Sequence, residues 1–208
     1  NGEGEISSAY GNRNLASRSM GGGLWDEALA CADQGLSLTP GDTNALALKT
    51  AVLIGMNRRD DWTTLCDFDR LIQTETMIAP EEFSGLKTFN QALLRRCAND
   101  QNLIFEPFGK AIKMGHRIQS LQSDPKPGPV NSLLEFAFRA GERYRTEHPT
   151  DPGHPFLSQS PRKFSIVAWG SILGRQGHHE SHLHKSGWLS GAYYGKLPDI
   201  METENEKR

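Results

Sequence analysis

Hydrophobic side chains recur every three or four positions through the first hundred residues, which is the spacing of one buried helix face. The first run predicts a helix over 24–38, with Asp26 and Glu27 in a first turn where acidic side chains favour the helix dipole. A Thr-Pro-Gly turn should end this helix, and Asp42 is a suitable N-cap for a second helix that runs to Gly55. The pattern therefore predicts two helices joined by a tight turn.

Two more helices are predicted in the same region. Asp60 or Asp61 can cap the third, and Pro80 has the position of a first-turn proline at the start of the fourth. Short successive helices with small residues where neighbours cross are typical of helical-repeat proteins. An ordinary helical bundle would give a similar pattern. We assign residues 1–99 to a helical repeat domain that offers a surface for partner contact.

The hydrophobic pattern changes in the second half of the chain. It weakens over 99–129, marks one more amphipathic helix over 130–145, and then alternates with the period of a strand. Strands are predicted over 163–173 and 188–197. Because helices come first and strands last, the fold class is α+β or two separate domains rather than a βαβ sheet. Residues 100–208 form the predicted β domain, with one flanking helix.

Charge and composition exclude several classes of protein. The chain of 208 residues has 23 basic and 25 acidic side chains, and its formal net charge of −2 gives no electrostatic case for binding nucleic acid or an anionic membrane. No apolar run approaches the roughly 20 residues of a membrane-spanning helix. Three widely spaced cysteines, Cys31, Cys66 and Cys97, suggest reduced thiols and therefore a cytoplasmic location.

Histidines are concentrated near the C-terminal end of the sequence. His182 and His184 are two positions apart, so in an extended segment both side chains leave the same face. Two imidazoles on one face can bind iron, zinc, copper or nickel. His178 and His179 are adjacent and diverge in an extended segment, so at most one of them can join the same ion. The alternative is a His-rich surface loop without a metal, because His-x-His alone is a weak motif.

The stretch between Gly21 and Trp62 resembles a tetratricopeptide repeat. The matching positions are Trp25, Ala28, Leu29 and Ala32, the closing Pro40, and the Ala-Leu-x-Leu run that follows it. The resemblance implies a surface that recruits a protein or peptide partner. It predicts no chemistry in this part of the chain.

The segment GHHESHLHKSGWLSGAYYGKLP, residues 177–198, resembles the metal-binding strand region of the 2-oxoglutarate/Fe(II)-dependent dioxygenases, in a branch found behind tetratricopeptide repeats. The matching residues are Gly177, Glu180, Ser181, His182, His184, Trp188, Leu189, Ser190, Gly191, Tyr193, Tyr194 and Pro198. An upstream His-Pro-Phe string at 154–156 and a Trp-Gly-Ser-Ile-Leu string at 169–173 match the same branch. The resemblance implies a double-stranded β-helix (a jelly roll) that binds Fe(II) and the co-substrate 2-oxoglutarate.

The resemblance also implies roles for individual residues. His182 and His184 would hold the metal. The wider superfamily has a carboxylate where His184 stands, so a nearby carboxylate such as Glu180 is the alternative ligand. The candidate co-substrate ligands are Tyr193, Tyr194 and Ser190. The two tyrosines alternate faces, and packing of both in the core is the alternative.

The sequence departs from the family pattern at several points. Lys185 stands where proline is usual, and His178 and His179 fill variable positions that inherit no role. The family's distal histidine and the basic residue that pairs with 2-oxoglutarate lie further along the chain, and no histidine follows His184. The predicted strands are also fewer than the roughly eight of a jelly roll. We therefore expect the β domain to be the N-terminal part of an oxygenase fold.

Three hypotheses about function follow from these patterns. The first is an Fe(II)/2-oxoglutarate-dependent oxygenase, in most such proteins a hydroxylase, whose repeats recruit a protein or peptide substrate. The second is a non-catalytic helical-repeat interaction protein whose His-rich strand is structural or binds zinc. The third is a metal-dependent β-barrel of the cupin kind, which also uses closely spaced histidines.

Overall fold

The computed structural model describes residues 22–121, 128–182, 184 and 187–198. Its helices are α1 (Trp25–Leu38), α2 (Thr43–Gly55), α3 (Arg59–Leu65), α4 (Phe68–Leu71), α5 (Leu86–Ala98) and α6 (Pro129–Glu147), with a 3₁₀ turn at Leu157–Gln159. Strands β1 (Leu103–Phe105), β2 (Ile112–Ile118) and β3 (Gly170–His179) form an antiparallel sheet. The described chain therefore mixes helices and antiparallel sheet, which is compatible with the predicted α+β class.

The described residues fall into two compact units. The helical unit contains 22–74, 143–163, His184 and 187–190, and the sheet unit contains 75–121, 128–142, 164–182 and 191–198. The chain enters each unit more than once. The predicted domain boundary after residue 99, the tetratricopeptide-like repeat and the jelly roll all stay predictions.

Helices α1 and α2 of the helical unit pack together and bury mostly small residues. Those of α1 are Ala28, Ala32 and Gly35, and those of α2 are Ala45, Val52 and Leu53. A Cβ atom on Gly55 would lie 2.5 Å from the indole ring of Trp25, so only glycine fits at that position without a shift. The short distance between the helices thus depends on small residues.

The turn between α1 and α2 forms as the sequence predicts. The Asp42 carboxylate accepts hydrogen bonds from the backbone N–H groups of Asn44 and Ala45, each at 2.9 Å, so it is the N-cap of α2. Gly41 precedes it with a φ of 78°, a conformation that favours glycine. The predictions of α1, α2 and the cap are confirmed.

The fourth predicted helix begins later than the sequence suggests. α5 starts at Leu86, whereas Pro80 opens a turn in which its carbonyl accepts a hydrogen bond from the Phe83 N–H at 2.9 Å. Ser84 and Gly85 follow this turn, and glycine in particular disfavours a helix. The prediction of a helix beginning at Pro80 is therefore wrong at its start.

Strand β2 is the centre of the sheet and pairs with both neighbours. Leu103 of β1 lies opposite Ile118, and on the other side Gly170 of β3 lies opposite the same residue. At the far end of the strand, Ile112 lies opposite His179. The end of β3 therefore lies beside the start of β2.

A wide bulge interrupts β3 before it reaches the histidines. Leu173 pairs with Gly115 and His178 pairs with Lys113, so residues 174–177 lie opposite the single residue Met114. A Cβ atom on Gly177 would lie 2.8 Å from the Met114 carbonyl oxygen. The bulge therefore depends on glycine at 177.

The strand predictions are corrected in three places. The strand predicted over 163–173 begins at Gly170 and continues to His179, and no described residue in 188–197 lies in a strand. The region 99–129, where the pattern predicts no strand, contains β1 and β2. β1 has three residues, too few to show an alternating pattern, and β2 carries polar side chains between its apolar ones.

The core of the sheet unit surrounds Phe89 of α5, which is fully buried. The ring of Phe83 meets it edge to face, with 5.2 Å between the centroids. The other buried members are Met77, Leu93, Cys97, Ile118, Leu121 and Val130. Residues from α5, β2 and α6 thus share one core.

Within the described residues, no helix has both the length and the apolar character needed to cross a lipid bilayer. Cys31, Cys66 and Cys97 all lie in the described part of the chain, and none of them forms a disulfide.

Candidate metal site

The end of β3 brings part of the histidine segment against β2. His178 pairs with Lys113 and His179 with Ile112, and the Glu180 N–H donates to the Ala111 carbonyl at 2.8 Å. Adjacent residues of a strand point to opposite faces, so the two histidine side chains diverge as expected. Backbone pairing therefore fixes the Cα positions of His178 and His179.

His182 lies close to His179 in the sheet unit. Their ring centroids are 5.9 Å apart and the rings are nearly perpendicular, at 71°. The Nδ1 atom of His182 donates to the Glu180 carbonyl at 2.7 Å. In the neutral ring, a proton on Nδ1 places the lone pair on Nε2, which is the form in which histidine binds a metal ion.

The surrounding protein favours the neutral form of His179. Desolvation lowers the pKa of its imidazole from the ordinary value, and the neighbouring His182, Arg117 and His178 lower it further. Neutral imidazole is the form that ligates metals. At neutral pH, His179 is therefore in the protonation state that a metal site requires.

The predicted ligand pair, His182 and His184, does not fall in one compact unit. His182 belongs to the sheet unit and His184 to the helical unit, and position 183 lies outside the described residues. The two side chains are both exposed. Their pairing as metal ligands stays a prediction.

The alternative carboxylate ligand, Glu180, already has a charged neighbour. Its carboxylate lies 3.7 Å from the Lys113 Nζ atom. Among the described residues, no group of three or more histidine, cysteine, aspartate or glutamate side chains is arranged to hold a metal ion. The imidazole donors fit iron, zinc, copper or nickel by chemical type, and the described residues supply two such rings close together.

The predicted co-substrate residues have different surroundings. The Tyr193 hydroxyl donates to the Asn90 side-chain oxygen at 2.7 Å, its ring packs edge to face with Phe89 and Phe136, and burial raises the pKa of its phenol. Tyr194 and Ser190 are exposed. Tyr193 therefore packs in the core, whereas Tyr194, whose side chain is predicted to leave the opposite face, is exposed. Co-substrate binding by Tyr193, Tyr194 and Ser190 stays a prediction.

Trp169 and Trp188, which belong to the segments that resemble the dioxygenases, have a cationic and an aromatic neighbour. Trp188 stacks on Phe156, with 5.2 Å between the centroids and 13° between the planes, and its indole N–H donates to the Phe156 carbonyl at 3.3 Å. Trp169 carries the Arg117 guanidinium over its ring at 4.9 Å. Arg117, whose charge lowers the pKa of His179, and Lys113, which pairs with His178, are basic residues that sequence reasoning missed, because nothing in the local pattern predicts β2.

Two cavities that the described residues form lie in the helical unit. The smaller, about 210 Å³, is lined by Leu46, Phe156 and Trp188 together with the α1–α2 turn. The larger, about 510 Å³, is a polar cleft that includes Asp67, Arg70 and His154. The His154 Nδ1 atom accepts from two backbone N–H groups, and among the described residues its buried Nε2 atom has no hydrogen-bond partner.

Comparison of the chain with models of protein families, with curated proteins and with solved structures finds no match. Any functional proposal therefore depends on the residues and their geometry.

Proposed function

We propose that this protein is an Fe(II)/2-oxoglutarate-dependent oxygenase in which His182 and His184 hold the iron. The observation that carries the proposal is the hydrogen bond from His182 Nδ1 to the Glu180 carbonyl, which presents Nε2 as a ligand atom in a segment rich in histidine. The Trp-Leu-Ser-Gly-x-Tyr-Tyr string that follows supports the same family.

The protein's own residues orient the reaction. The imidazoles of His182 and His184 supply neutral nitrogen donors, and the Glu180 carbonyl fixes the ring of His182. Bound Fe(II), with 2-oxoglutarate and O₂ as co-substrates, supplies the oxidation of a C–H bond on the substrate. The exposed hydroxyl groups of Tyr194 and Ser190 are available to hydrogen-bond the co-substrate, whereas the Tyr193 hydroxyl already donates to Asn90.

The helical unit is the proposed binding surface for a protein or peptide substrate. It exposes large apolar side chains, including Ile54, Phe68 and Ile72, which are between 54% and 64% exposed. Contiguous exposed apolar patches mark recognition surfaces, and we infer that these side chains contribute to such a patch. The nearby polar groups of the helices would then set the specificity.

The test is Fe(II) binding under anaerobic conditions, followed by 2-oxoglutarate-dependent succinate release in air. We expect His182→Ala and His184→Ala to abolish both. His178→Ala should keep both, because the side chain of His178 leaves β3 on the face opposite to that of His179, whose ring lies near His182. A chain that binds no iron and releases no succinate, with or without candidate peptides, would contradict the proposal.

The second candidate is a non-catalytic interaction protein whose histidine segment binds zinc. The exposed apolar side chains of the helical unit favour it, because they suit partner binding without any chemistry. Zinc binding at His182 without succinate release would favour this candidate. A pull-down with Phe68→Asp as the control variant would then locate the partner surface.

A further inference from the structure

The turn that follows β3 carries two imidazoles that approach each other. The rings of His179 and His182 have centroids 5.9 Å apart, while the ring of His178 belongs to the opposite face of the strand. The sequence spacing of these residues does not predict this pair, because in an extended segment positions three apart face opposite ways. The chain must therefore turn between them.

The chain bends at Ser181, and the backbone of the preceding residue, Glu180, holds this turn in place. Its N–H donates to the Ala111 carbonyl at 2.8 Å, which ties the segment to the residue just before β2. Its carbonyl accepts the hydrogen bond from His182 Nδ1 at 2.7 Å. One residue thus anchors the turn to the sheet and orients the second imidazole.

His179 immediately precedes this turn, and strand pairing holds its backbone in place. It is the last residue of β3 and lies in register opposite Ile112, which is buried. Its Cα position is therefore fixed by the ladder, whereas its side chain is exposed and can rotate. A ring nitrogen binds iron or zinc at about 2.1 Å, so two rings this close can meet one ion after a small rotation of each side chain.

Other donors near the turn are less suitable. His178 pairs with Lys113 and its Nδ1 atom lies 3.2 Å from the Gln176 carbonyl. The Glu180 carboxylate lies near the Lys113 ammonium group. The geometry therefore distinguishes His179 from its neighbour.

We propose that His179 is a metal ligand together with His182, so that the site contains the pair His179–His182 in addition to any contribution from His184. The inference rests on the proposed function, since it names a further ligand of the same divalent metal ion. The ion would bind through imidazole nitrogens, which suits Fe(II) and its spectroscopic substitute Co²⁺.

The experiment is a titration of the full chain with Co²⁺ alone, followed by its visible absorption. We compare His179→Asn with the matched neighbour variant His178→Asn, and use His182→Asn as the positive control. His179→Asn should weaken Co²⁺ binding at least about tenfold, since even the loss of an outer-shell partner typically costs that much. His178→Asn should leave the affinity unchanged. Both side chains are exposed, and circular dichroism checks that each variant keeps its fold.

An unchanged affinity for His179→Asn, or an equal loss for His178→Asn, would overturn the inference. If His182→Asn and His184→Asn abolish binding while His179→Asn does not, the inference fails and the proposed oxygenase site survives. If His179→Asn and His182→Asn both weaken binding but the protein releases no succinate from 2-oxoglutarate, the ligand pair stands and the proposed oxygenase function fails.

Discussion

The α1–α2 contact of the helical unit and the core of the sheet unit bury very different side chains. In the helical unit, α1 and α2 meet through alanines and glycines, with Val52 and Leu53 as the larger buried residues. In the sheet unit, the core surrounds Phe89 and is filled by large aliphatic and aromatic groups. The α1–α2 contact depends on how closely two backbones approach, and the core of the sheet unit depends on how completely large side chains fill space. The difference predicts opposite sensitivities to mutation.

Removal of volume should affect the sheet unit most. Phe89→Ala is expected to lower the free energy of unfolding by about 3–5 kcal/mol, because it leaves a cavity at the centre of that core. Denaturant unfolding measures the change. Phe108→Ala is the matched control, since that side chain is fully exposed, and the comparison would break if both substitutions cost the same.

Addition of volume should affect the helical unit. Gly55→Ala places a methyl group 2.5 Å from the Trp25 ring and should cost about 1–3 kcal/mol, as overpacking does. Trp25→Leu in the same chain should recover part of that cost, and the coupling is read from a double-mutant cycle. Gly191→Ala is a control, because a Cβ atom there meets nothing within 4 Å. If the cycle shows no coupling between positions 25 and 55, the contact with the Trp25 ring is not the cause of the loss.

The helix cap of the helical unit should have a smaller effect than either core. Asp42→Ala removes the acceptor of two backbone N–H groups and should cost about 1 kcal/mol. Asp42→Asn, which keeps an acceptor oxygen, should cost much less. Thermal unfolding of the two variants tests this, and equal losses would show that the charge rather than the cap is responsible.

The smallest predicted effect is a pH dependence in the sheet unit. The hydrogen bond from Arg96, at 2.6 Å, and then that from the Asn102 N–H lower the pKa of Asp100 from its ordinary value. A lowered folded-state pKa contributes stability above the unfolded pKa, and this contribution is lost as pH falls through the folded pKa. Asp100→Asn should therefore cost no more than about 1 kcal/mol at pH 7.

The pH dependence separates the charge of Asp100 from its shape. The difference in unfolding free energy between the wild type and Asp100→Asn should shrink in the acid range below the ordinary aspartate pKa. Urea unfolding at a series of pH values measures it. A difference that stays constant down to the lowest pH would exclude the ionised carboxylate as its origin.

Local patterns in the sequence predict the helical unit better than the sheet unit. The spacing of apolar residues and the Asp42 cap act within a few residues of each other, and both α1 and α2 are confirmed. The sheet depends on pairing between distant residues. β1 is too short to be predicted, and β2 becomes recognisable only beside β3.

The candidate site shows the same limit. The resemblance and the spacing select His182 and His184. The resemblance assigns His179 no role, and the spacing allows at most one of His178 and His179 to join the same ion without saying which. The proximity of His179 to His182 arises from the Glu180 turn and from the pairing of that turn with Ala111. Neither contact leaves a signal in the local sequence. The position of Arg117 beside Trp169 is likewise a product of strand pairing.

The bulge in β3 has a consequence for how the histidine segment tolerates insertions and deletions. Residues 174–177 lie opposite Met114 alone, so the number of residues in this bulge sets the pairing register of the residues that follow it. If the bulge keeps four residues, deletion of one residue there would draw His178 into the bulge and place Glu180 rather than His179 opposite Ile112. The number of residues in the β3 bulge, rather than the number of histidines, therefore determines which imidazole lies near His182.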